Sequence, residues 1–536
     1  MQKERLLCKA EINRYNTPSN ATYLSPESQN DMIECCAQEI TDTIVSEMST
    51  SGMYAIMADE ARDGQSEQLA LCVRYVTEGT VKERLLALAE IKSFDAQSIA
   101  NELQQQLQMR GVAGLKCVAQ TYDGAAVMSG SKGGVQAHFR VLHPEAIYVH
   151  CYAHELNLVL CHTCRAIPEA AEFFSFLENV YSFFSTSLVN HHKFKEAQSK
   201  LGIASAELVQ LSNTRWACQL RSINAVLDTL TAIFDCLSAI GSPMAVGLRA
   251  KLHKFSTVYL LLMFQSLLSI TEGLHKFLQK ETVDLAEACF GKQAVCDTLI
   301  GKRTDAFATE LYDRTKALCE IHNIPEADAA RKRKQRKMGE FVVETSLGLG
   351  TELSCSQTLK TELLLPCLDR MVCELDQRFS TVDAGLLKDI QACSPNSKNF
   401  LDTSCLTEFA KHYGIDVKTE EMLVARNFLA QKREAGCPPK DMLAVHNLLD
   451  DDMFPSLKEI IQVALTIPVS SCSCERSFSA LRRLHSWLRK TMGQKRLASL
   501  AAMSIEGEVL GPLSHNSVIV ATFKNRRYTL MRPPTK

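Results

Sequence analysis

Three acidic residues, far apart in the chain, have the side-chain chemistry of a divalent-metal site. Asp59 and Asp123 each end an apolar run, and Glu475 lies in the segment Ser471–Ser479. Carboxylate oxygens are the ligands that Mg²⁺ prefers. Two such ions can stabilise the attacking and leaving oxygens when a phosphodiester is cut or joined. Because no local loop spans these separations, the acids can meet only if the fold brings them together.

Each acid on its own also has a purely structural interpretation. An aspartate before a glycine at the end of a strand, as in Asp123-Gly124, is typical of a turn or a cap. Glu475 could stabilise a helix N-terminus through the helix dipole. The order and the flanking residues of the set therefore matter more than any single acid.

The elements that would position Asp59 and Asp123 are predicted from hydrophobic periodicity. Residues 54–58, 68–77 and 83–91 indicate an antiparallel meander, although 83–91 also fits a helix. A helix over 96–110, a buried strand over 115–121, a helix from about 124 to 142, a strand over 147–150 and a long helix from about 151 follow. A right-handed crossover would return the fourth strand parallel to the first and place both aspartates at one sheet edge.

The remaining pattern predicts five regions. Residues 1–50 form an N-terminal helix or linker without zinc-finger spacing, and 51–220 the first part of an α/β core. Residues 221–445 are helical with an exposed basic loop over 331–356, 446–510 form the last part of the core, and 511–536 are a tail. The basic run Arg331–Lys337 favours a nuclear-import signal over phosphate contacts or a solvated loop.

Composition limits the function classes. The chain has 536 residues, 46% of them hydrophobic, and a formal charge of -2, so any DNA contact needs a local basic patch. Its 21 cysteines are scattered and no signal peptide precedes them, which indicates a reducing compartment. The most apolar stretch, Val258–Ile270, is interrupted by Gln265 and Ser266, so we expect no membrane association.

Five blocks in order resemble hAT-superfamily transposases, and within them the transposase-derived part of zinc finger MYM-type protein 1-like proteins. The resemblance covers roughly residues 30 to 510. The blocks are Asp59–Glu60 with Gln68–Val76, Tyr122–Gly130, Tyr148–Val159, Asn213–Trp216 and Ser473–Ser479.

This resemblance implies an α/β fold with an RNase H-like mixed sheet: an antiparallel three-strand meander plus parallel strands, with helices on both faces. A large all-α insertion would interrupt it, and a C-terminal hAT dimerisation region would form a homodimer or higher oligomer. By motif, Asp59, Asp123 and Glu475 correspond to the family's catalytic metal-binding acids, with Mg²⁺ or Mn²⁺ as the ion. Cys151 and His154 match its Cys-x-x-His element. Arg215 and Trp216 match a segment whose aromatic residue stacks on an unpaired DNA base.

Two of these motifs keep alternative interpretations. Cys151 and His154 lack two further ligands at zinc-site spacing, so we expect packing or DNA-end contacts there, and no zinc site. Trp216 could stack on a base or simply be buried in the core.

The sequence leaves two functions open. One is a nuclear, DNA-binding and dimerising transposase-like protein with metal-dependent strand cleavage and transfer. The other is a domesticated protein, catalytically inactive, that acts through dimerisation or chromatin and transcription partners. All three acids are present, which favours the first. Ala61 and Arg62 stand where relatives usually have Ser or Thr, and Val127 replaces a usual Asn, which favours the second.

Overall fold

The computed structural model describes residues 25–63, 66–211, 216–326, 355–379, 384–484 and 492–510. The predicted basic loop over 331–356 lies almost wholly outside these ranges, and the tail over 511–536 lies outside them entirely. The chain divides into two compact units. The sheet unit comprises residues 1–151, 281–286 and 384–536, and the helical unit comprises 152–280 and 287–383. The domain boundaries predicted at residues 51, 221 and 446 stay predictions.

A five-stranded mixed sheet organises the sheet unit, with strand order β3-β2-β1-β4-β5. Strands β1, β2 and β3 pair antiparallel, and β4 pairs parallel with β1 and with β5. The predicted meander and the parallel return are therefore confirmed, and the ambiguous third segment is a strand. The strands are β1 Met53–Asp63, β2 Ser66–Thr77, β3 Thr80–Ile91, β4 Lys116–Tyr122 and β5 Ile147–His150.

A two-residue turn explains the hairpin between β2 and β3. Thr77 pairs with Thr80, and the two residues between them, Glu78 and Gly79, have φ values of 48° and 68°. Two consecutive left-handed residues are the signature of a turn that matches the twist of the strands. The turn thus sets the pairing of β2 with β3 next to it, and the register shifts once further along, between Leu71 and Cys72.

Four helices precede or connect the strands: α1 Pro26–Ser51, α2 Ala96–Met109, α3 Ala126–Ser129 and α4 Val135–Leu142. The prediction of one helix from about 124 to 142 is wrong, because the chain bends between Gly130 and Gly134. A Cβ at Gly134 would lie 2.4 Å from the nitrogen of Gly130, so the two backbones approach at a distance that only glycine permits.

The two faces of the sheet carry separate cores. Along β1, Tyr54, Ile56 and Ala58 join a cluster with buried residues of α1, α2 and α4. Met57, on the other face, joins a cluster with Phe478 and other residues of two late helices. Alternation along each strand sends successive side chains to opposite faces. Helices cover both faces, as predicted.

The rest of the described sheet unit is helical. Its helices are α16 Ala384–Gln391, α17 Thr403–His412, α18 Thr419–Glu434, α19 Met442–Leu448, α20 Pro455–Thr466, α21 Cys472–Leu484, α22 Gln494–Ile505 and α23 Gly507–Leu510.

Within the described residues of the helical unit, no strand is present. Its helices are α5 Tyr152–Ala166, α6 Pro168–Ser185, α7 Leu188–Lys200, α8 Trp216–Asp228, α9 Leu230–Ile240, α10 Pro243–Leu252, α11 Phe255–Leu278, α12 Leu285–Gly301 (its first two residues counted with the sheet unit), α13 Asp305–Ile321, α14 Cys355–Leu359 and α15 Leu365–Arg378, with a π-helical turn Lys360–Leu364.

One helix of the described chain, α11, is long and apolar enough to cross a membrane, and the bent pair α8 and α9 would count as a second. About 67% of the apolar window of α11 is buried within the protein. Its Phe264 packs on Phe173 and Phe174 of α6, with ring centroids 5.7 and 4.9 Å apart. Such packing is typical of a core helix.

Candidate functional site

Strand register brings Asp59 and Asp123 to the same level of the sheet. Met57 pairs with Thr121 in the parallel β1–β4 ladder, and each aspartate lies two residues beyond its member of that pair. Neighbouring strands lie about 4.8 Å apart. This register brings the two aspartates close together where β4 ends, but Asp59 does not end its strand as predicted, because β1 continues to Asp63.

Helix α21 brings Glu475 to the same place. The sulfur of Cys474 donates to the carbonyl oxygens of Met57 and Ala70 at 3.4 and 3.7 Å. Ala70 is the partner of Asp59 in the β1–β2 register. Because Asp59 and Met57 share one face of the sheet, the face that α21 covers, the residue after Cys474 lies beside Asp59.

The pKa of Asp59 depends on the same neighbouring acids. Its pKa is raised well above the usual range, first by burial and then by the negative charges of Glu475 and Asp123, with a further contribution from Cys151. The backbone N–H of Glu60 donates to Asp59 Oδ1 at 2.9 Å and opposes this shift. Like charges held this close are costly unless a proton or a cation neutralises them.

Glu60 is a fourth acid near the site that the sequence interpretation did not single out. Burial, followed by the charges of Asp123 and Glu67, raises its pKa to about 7. Its Oε1 is buried without a hydrogen-bond partner among the described residues. The only sequence signal was its position next to Asp59.

The donor set has the chemistry that Mg²⁺ or Mn²⁺ requires, since carboxylate oxygens dominate it. Across the part of the chain that the structure describes, no group of three or more His, Cys, Asp and Glu side chains is spaced to hold a metal ion. The acids are close enough for their charges to act on one another, but they are not arranged to share a cation. Side-chain rearrangement would be needed before they shared a cation.

Arg62 does not project from the same face as Asp59. The two residues are three positions apart on a regularly paired strand, so their side chains leave opposite faces. Arg62 is exposed and pairs in register with Glu67. Val127, the other departure from the family pattern, is 43% exposed in the short helix α3.

Cys151 lies at the end of β5, against the start of α21. Its N–H donates to the carbonyl oxygen of Tyr122 at 2.9 Å, and its sulfur accepts from the N–H of Ser471 at 3.2 Å. His154 lies half-buried in the first turn of α5, in the helical unit. Trp216 is the first residue of α8, but its side chain and all of Arg215 lie outside the described residues.

A buried arginine connects β2, β3 and α20 with segment 281–283. Arg74 is 1% exposed and donates to Glu83 Oε1 at 2.7 Å and to the carbonyl oxygens of Leu465, Glu281 and Val283. Glu83 in turn accepts from Ser473 in the first turn of α21. Sequence patterns gave no sign of this network, because Arg74 looks like one polar residue in an apolar strand.

Comparison with known proteins matches both ends of the chain. Residues 4–134 match the ZMYM1/FAM200, RNase-like domain, and residues 447–509 match the hAT family C-terminal dimerisation region. The chain therefore resembles hAT-derived proteins at both ends. The RNase-like match contains Asp59 and Asp123, and the match to the dimerisation region contains Glu475.

Relatives that align with most of this chain agree with the two family matches. The human protein named 52 kDa repressor of the inhibitor of the protein kinase is 22% identical over 92% of this chain and 67% of its own length. The mouse protein of the same name is 21% identical over the same shares. The suspected resemblance to hAT-derived proteins is thereby confirmed.

Proposed function

We propose that this protein is nuclear, dimerises, binds DNA, and uses Asp59, Asp123 and Glu475 as a Mg²⁺- or Mn²⁺-dependent site for strand cleavage and transfer. One observation carries the proposal: the charges of Asp123 and Glu475 both act on the half-buried carboxyl of Asp59, although the three residues come from β1, the end of β4 and a distant helix. Bringing like charges together destabilises the folded state, so a purely structural role does not explain the arrangement.

The protein's own groups have distinct roles in this proposal. Asp59 is held by the N–H of Glu60, and Asp123 Oδ1 accepts from the N–H of Ala125 at 3.2 Å, so both carboxylates are oriented from the backbone. When bound, the divalent ions would stabilise charge on the attacking and leaving oxygens of the phosphodiester.

DNA contact would come from local positive charge, because the chain as a whole has a formal charge of -2. Arg482 and Arg483 are exposed in the last turn of α21, the helix that begins beside Asp59 and carries Glu475 in its first turn. Phosphate contacts from such arginines supply affinity without sequence preference. A nuclear location is consistent with relatives named as repressors.

The experiment compares magnesium- and manganese-dependent nicking or strand transfer by the wild-type chain and by Asp123→Asn. Asparagine keeps an oxygen for the Ala125 N–H, so the fold is preserved while the charge is lost. Metal stabilisation of such a reaction is worth several kcal/mol, and each 1.4 kcal/mol is tenfold in rate. We expect a loss of at least about 10²-fold.

The matched control is Asp313→Asn, an exposed aspartate of α13, which we expect to react like the wild type. Equal cleavage by the wild type and by Asp123→Asn would contradict the proposed mechanism.

A second candidate, a domesticated regulator that dimerises without cutting DNA, is favoured by one observation: the described acids do not form a group spaced for a metal ion. The printed name of the relatives, a repressor, agrees with it. A wild-type chain that dimerises and binds DNA but neither binds Mn²⁺ in a titration nor nicks DNA would select this candidate.

A further inference from the structure

The first turn of α21 contains two cysteines, and each lies against a cysteine of the sheet. Cys472 is hydrogen-bonded with Cys151 at the end of β5, and Cys474 with Cys72 in the middle of β2. All four side chains are buried, with 4% exposure or less. The metal proposal does not use these thiols.

Backbone geometry holds the pair of Cys151 and Cys472 together. The sulfur of Cys151 accepts from the N–H of Ser471, the residue before Cys472, at 3.2 Å. Cys151 is itself fixed by its N–H bond to Tyr122, so both thiols sit on ordered backbone. In sequence, Ser471 and Cys151 are 320 residues apart, so only the fold creates this contact.

The second pair has different surroundings. Cys474 and Cys72 belong to the apolar cluster with Phe478 and Leu481, and the sulfur of Cys474 already donates to the carbonyl oxygens of Met57 and Ala70. Each pair borders one acid of the site, since the charge of Glu475 acts on Cys472 and that of Asp59 on Cys474. What distinguishes the second pair is therefore its place in the apolar cluster.

We propose that Cys151 and Cys472 are an oxidation site, which a hydroperoxide converts to a disulfide that ties the start of α21 to the end of β5. Hydrogen peroxide oxidises one thiol to a sulfenic acid and releases one water. The other thiol then attacks the sulfenic sulfur, the S–S bond forms and a second water leaves. The two thiols lose two electrons and two protons, and the peroxide gains them.

The disulfide would affect the acidic site, although neither cysteine is one of the proposed metal ligands. Glu475 is one turn from Cys472, so the disulfide fixes the helix start that carries this acid relative to the sheet edge that carries Asp59. The reaction is slow at neutral pH, because the hydrogen bond with Cys151, followed by burial, raises the pKa of the Cys472 thiol far above its usual range.

The test uses the full chain, incubated with hydrogen peroxide for hours and then alkylated. Non-reducing digestion and mass spectrometry should give a peptide in which Cys151 and Cys472 are linked, two hydrogens lighter than the sum of its parts and lost after reduction. The linked peptide should persist in Cys437→Ser, a change at an exposed cysteine. It should be absent from Cys472→Ser.

Recovery of Cys151 and Cys472 as separately alkylated or over-oxidised residues would overturn the proposal, as would a product that links only Cys72 and Cys474. The wild-type digest decides these outcomes directly, even if the Cys472→Ser variant fails to fold. The readout is a covalent product, so it is independent of DNA cleavage.

Discussion

Replacing Arg74 by methionine tests whether a buried cation holds the sheet unit together. Methionine keeps most of the volume but removes every donor. Three carbonyl oxygens, those of Leu465, Glu281 and Val283, lose the donor that Arg74 supplies at 2.9, 2.6 and 3.0 Å. Glu83, whose side chain is 7% exposed, loses its 2.7 Å ion pair.

The expected cost follows from these losses. Breaking a buried ion pair from one side costs about 3–5 kcal/mol, because the remaining charge is left uncompensated. Here Ser473 and Arg476 still contact Glu83, which favours the lower part of that range. Each orphaned carbonyl adds to the cost, by about 1 kcal/mol or more where water cannot reach it. We therefore expect a loss of roughly 3 kcal/mol if water reaches all three carbonyls and about 6 kcal/mol if it reaches none.

Hydrogen exchange measured by mass spectrometry is the suitable assay, because a chain with two units need not unfold in one step. At 1.4 kcal/mol per tenfold, a loss of 3 kcal/mol lowers the protection of globally protected β2 and β3 amides about 10²-fold. Arg482→Met, at an exposed arginine, is the control and should change protection little. The double variant Arg74→Met with Glu83→Gln should recover part of the loss, since no buried charge is left unpaired.

The reasoning is refuted if the β2 and β3 amides of Arg74→Met keep the protection seen in Arg482→Met. It is also refuted if Glu83→Gln lowers the stability of Arg74→Met by as much as it lowers the stability of the wild type.

Three further outcomes are expected. Asp59→Asn should raise the free energy of unfolding in metal-free buffer at neutral pH, because the raised pKa of Asp59 means that its charged form destabilises the fold. Chemical denaturation in the presence of EDTA measures this free energy, and a lower value for the variant would contradict the prediction. Burial lowers the pKa of His143, so its contribution to stability is present above pH 6.5 and is lost as pH falls from there; His143→Gln should flatten the stability curve over that interval, and an unchanged slope would argue against it. Phe478→Ala should cost about 3–5 kcal/mol by leaving a cavity between α21 and the sheet, whereas the exposed Val127→Ala should cost little; equal melting of the two variants would exclude this packing.

Local patterns were sufficient for most of the sheet. Strand-like apolar runs predicted β1 and β2. Asp123 follows the end of β4 as predicted, whereas Asp59, predicted at the end of its strand, lies within β1, which continues to Asp63. The third strand was ambiguous, because 83–91 has enough apolar residues to satisfy either period. Its pairing with β2, beyond the turn at Glu78 and Gly79, selects the strand. The single helix predicted through residues 124–142 is wrong, because the backbones of Gly130 and Gly134 approach each other and break it into two helices.

The candidate site shows the same limit. Its three acids were identified by type, flanks and resemblance, but Glu60 was not, since a second acid next to the first has no distinguishing pattern. Neither the Arg74 network nor the thiol pairs could be predicted. Apart from Glu83, nine residues from Arg74, their members are separated by hundreds of residues. Nothing in the sequence near Arg74 or Cys151 indicates a partner in α20 or α21.

By itself the sequence determined which residues can do chemistry and which strands carry them, because side-chain type and strand periodicity are local properties. The tertiary structure alone decided which of them are neighbours. Register sets Asp59 level with Asp123, and α21, packed across β1 and β2 through Cys474 and Phe478, adds Glu475. That packing leaves Asp59 half-buried among like charges, and the partial loss of solvent together with those charges raises its pKa.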